Sequence, residues 1–226
     1  MAFSTQQAGR ARAAIVIIAL VVVAGIAVAV FSGAFSPATQ ATSGDAASTT
    51  SAEGDASSGD ALEEIDAQYG TATNSLLSQY EADPSNPSAL LNVANGYFDW
   101  GVAVMNHAAS DEDSARATEL LNNAIGYYDT YLESSPEAKA VVVDRAICRF
   151  YTGDTDTAIA ELEALTSDDS DSFAPAWANL GMFYEAAGRV DDARSAYEAA
   201  IDAAGDADAY NVKSYAQERL DALQDS

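Results

Sequence analysis

Residues Trp177 to Ala200 read WANLGMFYEAAGRVDDARSAYEAA, and the spacing of their large and small side chains decides the fold. Apolar side chains three or four positions apart form one stripe along a helix. Trp177, Leu180, Gly181 and Tyr184 make such a stripe, and Ala193, Tyr197 and Ala200 make a second. Between them, Gly188 supplies a turn residue that tolerates positive φ at a helix end. Gly181 and Ala193 are small enough for two helices to cross closely, and the rings of Trp177 and Tyr184 are expected to fill the space around that crossing. The stretch reads as a pair of antiparallel helices.

The order W-x2-L-G-x2-Y followed by A-x3-F is the tetratricopeptide signature, a helix pair recurring every 34 residues. Ala174 to about Ala207 resembles one such repeat, with Gly205 where the family usually carries proline. The resemblance implies an all-α chain, an α-solenoid of antiparallel helix pairs. It also implies a concave surface, lined by the first helices of successive repeats, that holds extended peptides or a partner's helix.

One pair cannot bury its own apolar face, so neighbours are required. Thirty-four residues before Trp177 stands Val143; Val143, Ala146, Ile147 and Phe150 repeat the stripe, followed by Gly153, Ala158, Leu162 and Leu165. This register turns Arg145 toward the groove and Arg149 to its edge, and it needs a turn one residue shorter before Ala158. Aligning Gly153 with Gly188 instead would put both arginines where the family buries leucine and tyrosine. Burying two unpaired guanidinium groups is costly, so the first register is adopted.

Upstream, Leu90, Val93, Ala94 and Tyr97 form a third stripe, but its partner helix, marked by Ala124 and Tyr128, comes late. The interval from Tyr97 to Ala124 is 27 residues, against 9 from Tyr184 to Ala193, so this hairpin is lengthened by about two and a half turns per helix. Before it, Leu62, Ile65, Tyr69, Ala72, Leu76 and Tyr80 mark a further long helix, closed by Asp83, Pro84 and Pro87. The three long helices are expected to form an N-terminal bundle that continues into two ordinary repeats. The helical domain spans 60–226, with repeats at about 87–138, 139–173 and 174–207 and a capping helix at 207–224 that buries Val212, Tyr215, Leu220 and Leu223.

The amino-terminal quarter has a different character. Ala13 to Phe31 is 19 residues without a charged or hydrogen-bonding side chain, about 28 Å as a helix, which spans a bilayer core. Arg10 and Arg12 precede it and no basic residue follows before Arg116, so the positive-inside rule places 1–12 in the cytoplasm. Residues 13–31 are read as a transmembrane signal anchor; cleavage near Ser32-Gly33-Ala34 is the competing reading. Residues 32–59 are mostly Ser, Thr, Ala, Gly and acidic residues, with Phe35 the one large apolar side chain, and so little to bury predicts a disordered tether. The helical domain is then extracytoplasmic and held near the membrane.

The chain carries 35 acidic and 10 basic residues, a net charge of −25. That field excludes nucleic acid as a partner and favours segments that are basic overall. One histidine, His107, and one cysteine, Cys148, cannot assemble a zinc site, so no metal and no cofactor are expected. The carboxylates Asp111 to Asp113 and those in Ser167 to Asp171 precede predicted helices, where they complement the helix dipole. No catalytic residue is predicted.

The expected interaction surface lies opposite the core stripe of the first helices. It comprises Asn92, Asn95, Phe98 and Asp99, then Asp144, Arg145, Cys148 and Tyr151 with Arg149 at the edge, then Asn179 and Met182. Asparagines there can bond a peptide backbone. Arg145 is expected either to hold a partner's carboxylate through paired hydrogen bonds or to pair with Asp144 or Asp99 within the domain. The chain is thus expected to be an adaptor for protein segments in an envelope complex, or else a holding chaperone. The second reading is similar to the anchored tetratricopeptide proteins of envelope folding and cytochrome c maturation.

Overall fold

The computed structural model describes residues 58–167 and 172–224, and every regular element in them is helical. The expected cytoplasmic terminus, transmembrane helix and most of the tether lie outside the described residues. No helix among the described residues is long and apolar enough to cross a membrane.

The first long helix is α1 (Ser58–Ile65) and α2 (Thr71–Ala82), joined without a break by a π-helical turn at Asp66–Gly70. Gly70 sits in that turn because the indole of Trp100 lies where a side chain would be: a Cβ there would stand 2.9 Å from Cζ2. Ala72, expected in the stripe, is exposed, and Thr73 is buried instead. The reason is a close approach: Thr73 packs against Gly96, whose missing side chain leaves room for its methyl and hydroxyl.

The helices α3 (Pro87–His107) and α4 (Asp111–Ser134) form the lengthened hairpin. Asn86 caps α3 by accepting from the amides of Ser88 and Ala89, with Pro87 at the first helical position. A capping box of Ser110 and Asp113 starts α4, and the three acidic residues fall in its first turn. At 21 and 24 residues these helices exceed the 13 and 15 of the last pair by eight and nine, about the even split expected. The extra length buries Val104, Ala117 and Leu120 against Leu62 and Ile65. Asp66 closes this end of the bundle, accepting from Trp100 Nε1 at 2.9 Å and pairing with Arg116.

Two ordinary pairs follow: α5 (Lys139–Tyr151) with α6 (Thr155–Leu165), and α7 (Ala174–Ala186) with α8 (Val190–Ala204). The helix α9 (Val212–Gln224) packs on both α7 and α8 and buries Val212, Tyr215, Leu220 and Leu223. Lys139 to Ala174 and Thr155 to Val190 are both steps of 35 residues. Gly153 (φ 95°) and Gly188 (φ 76°) therefore end equal turns, and the shorter turn expected before Ala158 is not formed. This overturns the 34-residue register. Arg145 and Arg149 occupy the positions of Leu180 and Tyr184, the alternative set aside as too costly. The cost is offset because both guanidinium groups are paired with acids of neighbouring helices. Val143, Ala146 and Ile147 are buried all the same, because α5 is enclosed on nearly every side.

One continuous core runs from Ala94 to Leu223. Phe150 stacks on Phe183 at 4.4 Å between centroids, tying α5 to α7. The ring filling the crossing at Gly181 is that of Tyr197 rather than Tyr184 or Trp177. Trp177 is half-buried and donates to Ser172 Oγ at 3.1 Å.

Candidate functional site

Of the residues expected to line the open face, few are open. Asn92 on α3 is exposed. Asn95 is half-buried, and its side-chain oxygen accepts from the hydroxyl of the fully buried Tyr128 at 2.8 Å. Phe98 is core, and so are Cys148, Asn179 and Met182, none more than 6% exposed. These four correct the expectation of a solvent-facing set. For Cys148, Asn179 and Met182 the physical reason is that each first helix after α3 packs against both its own partner and the pair before it; Phe98, on α3, joins the core with Val102, Leu121 and Ala124. Asp99 and Tyr151 remain half-buried at the margin.

Arg145 and Arg149 point between α4 and α6. Arg145 donates to Asp129 Oδ1 at 2.7 Å and pairs with Glu161; Arg149 reaches Glu161 at 3.3 Å, Asp129 at 3.6 Å and Asp154 at 3.8 Å. Both side chains are about four-fifths buried, as is Glu161, whereas Asp129 and Asp154 are half-exposed. Burial pushes the Glu161 carboxyl up while the two arginines pull it down. The arrangement ties α5 to α4 and α6 through ion pairs, while Arg145 Nε, Arg149 Nε and Glu161 Oε2 are buried without a hydrogen bond. The positive site expected at Arg145 is taken up by the chain's own acids, and these are Asp129 and Glu161 rather than Asp144 or Asp99. The signal for this was in the helix of Glu161, where an acid alternates with Ala and Leu in a segment whose other inward positions are apolar.

The last pair shows the same economy with aromatic groups. Tyr184 donates to Glu163 at 2.6 Å, and the guanidinium of Arg189 lies 4.1 Å from the centre of its ring. Tyr197 donates to Glu185 at 3.1 Å, and Arg219 of α9 pairs with the same carboxylate.

Two carboxylates stand outside these networks. Asp144 on α5 is 7% exposed, and no hydrogen bond or ion pair reaches it from the described residues; its Oδ1 is a buried orphan. Asp99 on α3 is half-buried, and no hydrogen bond or ion pair to it is seen among the described residues. Burial pushes Asp99 up to about 6; burial and then the charge of Asp99 push Asp144 up to about 7. One repeat along, Asn179 occupies the position of Asp144. Its amide donates to the Pro175 carbonyl at 2.8 Å, and its Oδ1 is also unpartnered. Among the described residues no group of three or more His, Cys, Asp or Glu could hold a metal ion. Cys148 is a free thiol that burial pushes well up.

The tetratricopeptide repeat family model matches this sequence twice, over 143–209 and over 181–226. Residues 143–226 are tetratricopeptide repeats. The matched stretch begins within α5 and takes in the rest of the two ordinary pairs and α9. No curated protein matches the chain in sequence. Two solved structures are similar to it at low identity. The crystal structure of MamA is 19% identical, covers 74% of this chain and 92% of its own, and superposes with a TM-score of 0.47. A thermophilic tetratricopeptide protein of Thermus thermophilus is 18% identical, covers 73% of this chain and all of its own, with a TM-score of 0.44. Tetratricopeptide repeats bind protein or peptide partners and imply a protein-interaction scaffold.

Proposed function

We propose that this chain is a membrane-tethered adaptor that presents its tetratricopeptide domain outside the cytoplasm, binds segments of other proteins there and organises an envelope complex without catalysing a reaction. The observation that carries the reading is the pair of family matches over 143–226. The tether rests on sequence: the uncharged run Ala13–Phe31, the arginines at 10 and 12 before it, and the polar, small-residue stretch to Gly59. The net charge of −25 favours partner segments that carry basic residues. Capture from detergent-solubilised membranes with the full chain as bait, followed by mass spectrometry, tests it. One or a few folded proteins retained in fixed ratio support the adaptor. A broad set of unfolded exported proteins would make the chain a holding chaperone, and its absence from the membrane fraction would remove the tether.

A further inference from the structure

The helical glycines Gly70, Gly96, Gly101 and Gly181 each have a reason inside the fold: a Cβ there would stand within 3.0 Å of a neighbouring side chain. Gly153, Gly188 and Gly205 have another, a positive φ. Gly126 has neither. It lies in mid-helix on α4, and a Cβ there would meet nothing within 4 Å. A glycine in such a place costs stability relative to alanine, and nothing packed within the domain offsets that cost.

What the missing side chain leaves is an open hollow of about 230 Å³ on the surface of α4, lined by Asn122, Asn123, Gly126, Tyr127 and Thr130. Its aromatic wall is held in place. Tyr97 of α3 stacks on Tyr127 with centroids 5.6 Å apart, and Tyr80 of α2 meets the same ring edge-on at 6.1 Å. The Thr130 hydroxyl donates to the Gly126 carbonyl at 3.0 Å, which leaves its methyl as the group it offers. Asn122 and Asn123 are exposed, and their side chains bond to nothing among the described residues. A ring and a methyl with two free amides at the rim make a seat for one apolar side chain of another helix, and a glycine beneath it lets the two backbones approach closely.

The seat has charge on either side. Glu119 and Glu133 lie seven residues before and after Gly126, so they share its face of the helix and stand about 10 Å from it along the axis. Both are exposed and neither makes an ion pair among the described residues; Arg116, whose charge acts on Glu119, is paired with Asp66. A second copy of this chain does not suit the surface. Antiparallel pairing of two α4 helices at Gly126 sets Glu119 against Glu133, and parallel pairing sets each glutamate against itself. No two of the ten basic residues in the sequence are seven or fourteen positions apart, so no segment of it supplies the complement. We propose that the outer face of α4 is a docking site for a helix of a partner protein, one that sets an apolar side chain into the hollow at Gly126 and carries basic residues seven positions to either side, opposite Glu119 and Glu133. This rests on the protein-binding reading above and adds a surface apart from the first helices, with the pattern that the partner must offer.

The test uses the full chain in detergent and capped, stapled helical peptides of alanine and glutamine with a central leucine. One carries arginines seven positions to either side of the leucine, a second citrullines there and a third glutamates. A fourth has its arginines two positions further out, which turns them to the opposite face. The first is expected to bind at least about tenfold more tightly than each of the others. Gly126→Leu should weaken it about tenfold, while an unchanged or raised melting temperature shows that this variant is folded. Glu119→Lys combined with Glu133→Lys should exchange the preference, so that the glutamate peptide binds best. Equal affinity for the two arginine peptides, binding unchanged in Gly126→Leu, or no binding of any peptide would each overturn the docking site. A wild-type dimer that Gly126→Leu dissociates in sedimentation equilibrium would overturn it too, since the occupant would then be a second copy. If membrane capture retains the same proteins with Gly126→Leu as with the wild type, the protein-binding reading stands while this site falls; if the wild type captures none and binds no peptide, both fall.

Discussion

The ring of Tyr197 lies over Gly181 so closely that a Cβ on residue 181 would stand 2.6 Å from Cε1 and 2.7 Å from Cδ1. Tyr197 is completely buried and anchored through its hydroxyl to Glu185, so the ring cannot swing aside without breaking that bond and disturbing α8. The glycine of the signature is therefore a packing residue in mid-helix, where its conformational cost is offset by the close helix crossing.

Gly181→Leu should destabilise the domain by about 1 to 3 kcal/mol through overpacking. For a domain of this size that lowers the melting temperature by about 2 to 4 °C per kcal/mol. Combining it with Tyr197→Ala should cost less than the two changes summed, because the cavity left by the ring accepts the leucine. Strict additivity in thermal unfolding would show that the two side chains do not share one space.

The arginine network predicts an asymmetry. Arg145→Ala leaves Glu161 largely buried with a weaker partner and should destabilise by about 3 kcal/mol, the low end of the range for breaking a buried pair. Replacing the pair together, Arg145→Met with Glu161→Leu, should recover most of that loss, as apolar replacements of buried pairs often do. Denaturant titration of the single and double variants measures both.

Acidity should stabilise this protein down to the ordinary carboxylate range. Asp99 and Asp144 hold protons in the folded state up to about pH 6 and pH 7, whereas in the unfolded chain they release them near pH 4. Between those limits the folded chain binds more protons than the unfolded one, so stability falls as pH rises from about 4 to 7 and levels off above. Melting temperatures across that window should decline toward neutrality, and Asp144→Asn should flatten the slope. A stability that rises from pH 5 to pH 7 in the wild type would contradict the placement of these acids.

The long hairpin carries its own small core, and this too can be separated. Val104 is fully buried against Leu62, Ala117 and Leu120, apart from the main core. Val104→Ala should cost about 1 to 3 kcal/mol locally. Hydrogen exchange should quicken in α1 and the tips of α3 and α4 while the amides of α7 and α8 keep their protection. Uniform acceleration through α8 would mean that bundle and repeats open as one unit.

Helix positions and pairing were legible because periodicity, glycine turns and proline starts are local signals. The period of the second repeat was not. Two inward-facing arginines look forbidden until their acids are known, and Asp129 and Glu161 come from two other helices, so the compensation is invisible along the sequence. The openness of the interaction face failed for a related reason. Asn179 and Met182 lie opposite the stripe of α7, but that helix is enclosed by α5, α6, α8 and α9, a property of stacking rather than of any one helix. Thr73 replaced Ala72 because Gly96, on another helix, admits it.

The central claim is that the first-helix side of the stack binds proteins, and site-specific photo-crosslinking in the living cell tests it most directly. A crosslinking residue is placed in the full chain at Asn92 on α3 or Gln217 on α9, both exposed, and for comparison at the exposed Ser195 on α8. Discrete adducts with the same one or few proteins from Asn92 and Gln217, and none from Ser195, are the predicted result. Adducts of equal yield and identity from all three positions, or adducts from Ser195 alone, would contradict it.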